Sequence, residues 1–111
     1  MGKIDDAIPG LVETAKGIDS KITNATVEAV AKYLGPNLFN KDASLVAYGD
    51  KDELARIREN FVKKKLAVTD SDPDIDAAIK SVGEKYGMSV RNKKRAVVYA
   101  LLMHHYGVKS L

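Results

Sequence analysis

The chain has 111 residues, 45% apolar and 30% charged, with 18 basic side chains against 15 acidic ones for a formal charge of +3. A chain of this length buries roughly 60 to 70% of its unfolded surface without metal or disulfide, so a single domain over 1–111 is expected, and the apolar content excludes intrinsic disorder. Cysteine is absent, which removes disulfides, thiolate metal sites and thiol nucleophiles and agrees with a reducing, cytoplasmic setting.

The opening MGKIDDAIPGL is acidic and lacks the apolar core of a signal peptide. No segment reaches the roughly 18 apolar residues of a membrane span, so no membrane association is expected. Ile4, Ile8, Leu11, Val12 and Ala15 stand at helical spacing and predict a helix over 4–16, kinked or delayed by Pro9-Gly10 and ended at Gly17. The segment 1–20 is the least sharply defined part of the pattern. Asn24 is a suitable N-cap, and Val27, Val30, Ala31 and Leu34 repeat at i, i+3, i+4 and i+7 up to Gly35-Pro36, which predicts a helix over 24–34. Asp42 is read as the cap of a short helix over 42–48.

Asp50-Lys51-Asp52-Glu53 reads as a capping box opening a helix over 51–66, with Leu54, Ile57 and Phe61 inward and Lys63, Lys64 and Lys65 at its negative end. Asp72 as N-cap and Pro73 at the first helical position start a helix over 73–86 with the stripe Ile75, Ala78, Ile79, Val82 and Tyr86. The last stretch, SVRNKKRAVVYALLMHHY, joins a basic head to an apolar body. From Ala96 to Met103 no polar residue interrupts it, so a helix over 91–106 is predicted to be apolar on all sides and wrapped by the others. Tyr33-Leu34-Gly35, Tyr48-Gly49, Tyr86-Gly87 and Tyr106-Gly107 all fall where a helical pattern stops. The expected fold is all-α: a compact bundle of about five to six helices packed around a buried C-terminal helix, with no strand. Its expected core is Leu11, Val27, Val30, Leu34, Leu54, Ile57, Phe61, Ile75, Ile79, Val82, Val98, Leu101 and Leu102.

The segments GPNLFNKDASLVAYGDKDELARIRENFVKKKL (35–66) and KYGMSVRNKKRAVVYALLMHHYG (85–107) resemble a small bacterial family known only as a domain of unknown function. The resemblance implies a soluble, bacterial, all-helical protein and carries no activity or functional residue with it.

Asp70, Asp72, Asp74 and Asp76 imitate a calcium loop, but Ile75 stands where the loop needs glycine and Ser81 where it needs glutamate. His104 and His105 are helical neighbours pointing about 100° apart, so they cannot share a metal, and one of them is expected against the core. No metal and no cofactor are expected. With no thiol, no G-x-S-x-G, no P-loop and no G-x-G-x-x-G, a catalytic role is disfavoured, although a carboxylate pair assembled across distant helices stays open.

One feature runs against local rules. Arg91, Asn92, Lys93, Lys94 and Arg95 stand at the start of the predicted last helix, where cations oppose the dipole by about 0.3 to 1 kcal/mol each. They call for an anion. The internal candidates are Asp70 to Asp76 or the group Asp50, Asp52 and Glu53; the external one is a phosphate or carboxylate at a binding site. Two functions of different class follow. The preferred one is a small non-catalytic interaction domain that meets itself or a protein partner through a helical face. The alternative is a phosphate- or nucleic-acid-binding module using the basic residues, which a steep loss of binding with salt would identify.

Overall fold

The computed structural model describes residues 2–109 and 111. Among these, the chain forms α1 (Lys3–Ile18), α2 (Asn24–Leu34), a 3₁₀ turn (Gly35–Phe39), β1 (Leu45–Val46), α3 (Lys51–Arg56) running into a π-helical segment (Ile57–Lys63), α4 (Asp72–Tyr86), β2 (Lys93–Lys94) and α5 (Arg95–Tyr106). The fold is an all-α bundle around its C-terminal helix. Every residue of α5 from Ala96 to Met103 is buried, as an apolar run without a polar face requires. Helices α1, α2 and α4 pack directly on it. The expected core residues are all buried except Leu54, which is half-buried, and Ile22, Val46, Val62, Leu66 and Met103 join them. Phe61 stacks on Tyr99 with ring centroids 3.8 Å apart, tying the π-helical segment to α5.

Helix α1 runs on through Pro9 without interruption to Ile18, past the stop expected at Gly17. Pro9 lies on the exposed side, so the Asp5 carbonyl that loses its donor can turn to water. Two caps are displaced by one residue. Thr23, not Asn24, caps α2 by accepting from the Thr26 amide, and Ser71, not Asp72, caps α4 by accepting from the Asp74 amide. At both places two adjacent residues can cap, Thr23 beside Asn24 and Ser71 beside Asp72, so a sequence pattern alone fixes the start only to within one residue. At α3 half of the capping box forms: Asp50 Oδ1 accepts from the Asp52 and Glu53 amides, while the Glu53 carboxylate turns away toward arginines.

The largest departures concern 42–48 and 91–94. No helix forms over 42–48; Asn40 Oδ1, in place of Asp42, accepts from the Asp42 and Ala43 amides to make a turn. The chain then extends as β1. The last helix starts at Arg95, because Lys93 and Lys94 are extended as β2 and pair antiparallel with β1, Leu45 opposite Lys94 and Val46 opposite Lys93. Strand content is therefore not nil, and this ribbon fixes the entry to α5. Gly107 takes the left-handed conformation at the exit, where the Val108 amide donates to the Met103 carbonyl and the Gly107 amide to that of His104.

Candidate functional site

The basic run is divided by the ribbon. Arg91, Asn92 and Lys94 are exposed, whereas Lys93 is buried and Arg95 is half-buried. Arg95 reaches three successive carbonyls of the facing segment: its backbone amide donates to Ser44 at 2.8 Å, its Nε to Ala43 at 2.6 Å and its Nη2 to Leu45 at 3.2 Å. Its Nη1 donates to the Tyr99 hydroxyl at 3.0 Å, and the guanidinium pairs with Glu53. Glu53, 8% exposed, also accepts from Arg56 at 3.2 Å. Arg95 thus has an internal anion, from one of the two acidic groups marked in the sequence. Only its planar fork of donors serves so many acceptors at once.

Lys93 has no such anion. It is 6% exposed, and its Nζ donates to the Val90 carbonyl at 2.6 Å and lies 5.4 Å from the centre of the Tyr48 ring. Among the described residues no acid forms an ion pair with it. A carbonyl and an aromatic face ease the burial of an ammonium but do not neutralise it.

Lys93 lines a cleft of about 660 Å³ between α3 and α4, within the size range of small-ligand sites. Lys51, Leu54, Ala55 and Arg58 form one wall and Asp76, Ile79, Lys80 and Gly83 the other. Each set stands at i, i+3, i+4 and i+7, one face of a helix. At one end Arg58 pairs with Asp76 at 3.0 Å. At the other the Tyr48 hydroxyl donates to the Ile79 carbonyl at 2.9 Å, and its ring lies so close over Gly83 that an added Cβ would stand 2.5 Å from it. The helices therefore run antiparallel along the cleft. Burial pushes the Tyr48 phenol well above its ordinary pKa, which keeps it a neutral donor. Met88, 75% exposed, stands at the mouth beside Lys93.

Two aspartates of the acidic run, Asp72 and Asp76, serve ion pairs. Asp72 pairs with Lys63 and lies 3.8 Å from Arg58, and Asp76 holds the other side of that guanidinium. The Lys63 ammonium keeps the Asp72 carboxyl below the usual carboxylate range. His104 and His105 are both exposed, so neither lies in the core as expected; His104 Nε2 stands 3.4 Å from Asp19 Oδ2, and His105 meets Tyr106 edge-on. Helix α5 is buried only through Met103, and the histidines fall in its protruding last turn.

Sequence reasoning singled out Lys93 but missed the cleft around it. The sequence pattern places Leu54 inward and Tyr48 at the end of a helix that does not form. One signal was available: Gly83 lies inside a helical pattern, where glycine costs about 1 kcal/mol against alanine and points to a close packing contact.

The chain belongs to the family described as protein of unknown function (DUF2853), whose profile matches residues 11–110 and so takes in the whole cleft. No curated protein matches it.

Proposed function

We propose that this member of the DUF2853 family is a bacterial, cytoplasmic, single-domain binding protein without a catalytic step, and that its ligand is an anion seated on Lys93 in the α3–α4 cleft. The observation that carries this reading is a buried lysine that lines the cleft and, among the described residues, pairs with no acid. Buried charges are ordinarily paired because desolvation costs several kcal/mol per ion. A ligand that brings the missing negative charge gains what the free protein lacks. Of the basic run, Lys93 supplies the seat and Arg95 holds the ribbon in place through Glu53, while Arg91 and Asn92 are exposed and Lys94 lines a separate hollow beside α1. Nucleic acid is the less favoured anion, since two of the four cations in the run are turned inward and a phosphate backbone needs an outward row.

Amide shifts followed during titration with acetate and with inorganic phosphate at low ionic strength test this. Saturable shifts at Tyr48, Gly83, Val90 and Lys93, lost in Lys93→Met, are the expected result. Anion-independent spectra at these positions would refute it. A second reading, a protein partner or self-association, draws support from Met88 and Val90, exposed by 75% and 37% beside the cleft mouth. It requires concentration-dependent shifts at those two residues without any added anion.

A further inference from the structure

We propose that the ligand of this cleft is a single-chain amphiphile with a carboxylate head, the head on Lys93 and the chain along Leu54, Ala55 and Ile79; this rests on the anion-binding reading above. The head class follows from the one buried cation, because Lys51 and Lys80, which also line the cleft, are exposed and keep their water. The Lys93 ammonium has three N–H groups, of which one is held by the Val90 carbonyl and the Tyr48 ring covers another side. What remains suits one oxygen of a compact monoanion. A phosphate, with more charge and more acceptors, is served better by a fork of arginine donors or a nest of amides than by one buried ammonium, so it should bind more weakly than a carboxylate. The one arginine in the cleft, Arg58, is already held by Glu59 at 2.7 Å and Asp76 at 3.0 Å.

The chain class follows from shape. Beyond Lys93 the cleft continues between two antiparallel helical faces, its middle apolar, toward the Arg58–Asp76 pair. From Gly83 to Asp76 the wall measures about 10 Å at 1.5 Å per residue. Both helices hold this gap open without filling it, leaving Leu54 and Ala55 only half-buried. A linear apolar chain covers these side chains, and the unbranched, exposed Met88 can fold over it at the mouth. The far end offers a carboxylate no free donor, because Arg58 is already held by Asp76 and Glu59, and this sets the polarity of binding.

The experiment is a calorimetric titration of the whole protein with acetate, butanoate, hexanoate and octanoate below micelle formation, with octanol as the neutral control. Affinity should rise about two- to fourfold per methylene. Octanoate should exceed octanol, and Lys93→Met should lose tenfold or more for octanoate while melting no lower than the parent. Met88→Ala, which disturbs no core contact, should weaken octanoate several-fold and leave acetate unchanged. Equal affinity for acetate and octanoate, still abolished by Lys93→Met, would overturn the amphiphile and leave the anion site standing. Octanol binding as well as octanoate, indifferent to Lys93→Met, would overturn both.

Discussion

Arg95 and Lys93, two residues apart, show how context decides what a basic side chain does. The Arg95 side chain joins two carbonyls, a tyrosine hydroxyl and a buried carboxylate, so its removal strands Glu53 at 8% exposure with only the exposed Arg56 beside it. Breaking a buried pair from one side costs about 3 to 5 kcal/mol. Arg95→Met is therefore expected to lower stability by that order, measured by urea denaturation, and Arg95→Lys should restore little because a single ammonium cannot reach acceptors on both sides of the ribbon. If Arg95→Lys matched the parent, the fork geometry would be irrelevant. Lys93→Met should do the opposite and hold or raise the denaturation midpoint, since exchanging an uncompensated buried charge for an apolar chain of similar volume removes a desolvation cost. The two variants together separate a structural cation from a ligand-seeking one.

At the scale of elements, Tyr48, just ahead of α3, is fastened to α4 by its ring against Gly83 and its hydroxyl on the Ile79 carbonyl. Gly83→Ala puts a methyl into that ring and should cost about 1 to 3 kcal/mol as overpacking, although alanine is the better helix former by about 1 kcal/mol. A thermal midpoint above that of the parent would show that the ring moves freely. A second clasp joins α4 and α5 to the end of α1: Asp19 accepts from Lys85 and from the Lys21 amide, with His104 alongside. The Lys85 hydrogen bond first, then that of the Lys21 amide, holds the Asp19 carboxyl below the usual carboxylate range. A depressed folded-state pKa means stability present in full above the ordinary carboxylate range and lost as pH falls through the folded value. Asp19→Asn should accordingly melt lower than the parent at neutral pH, and the gap should close as pH drops below the ordinary carboxylate range. How much of this was legible in the sequence depends on range. The stripes of α2 and α4 repeat within a few residues and could be read directly. The ribbon could not, because two-residue strands show no period and Val46 finds Lys93 only across the folded chain. The cleft is set by the distance between two helices, and no local pattern encodes an interhelical gap.

For the molecule as a whole, what matters is that a 12-residue helix is enclosed from Ala96 to Met103 while its two ends are handled by different means. The entry is fixed by the ribbon and Arg95, the exit by Gly107 in the left-handed conformation, so α5 cannot slide to relieve a defect in its middle. Leu101, 3% exposed on this helix, tests that rigidity. Truncation to alanine removes three heavy atoms whose contacts come from several neighbouring elements, and a core clamped at both ends collapses poorly onto the space left. Costs at such sites run to about 2 to 5 kcal/mol, the upper part belonging to sites that cannot relax. Small domains have only about 5 to 15 kcal/mol in total. Leu101→Ala should therefore lower the thermal midpoint by at least about 8 °C while keeping the helical circular dichroism spectrum of the parent at low temperature. A control at Leu54, half-buried at the cleft wall, should lose clearly less, because there the truncated volume opens to an existing cavity. Were the two variants to melt together, α5 would not be the centre about which the other helices are packed.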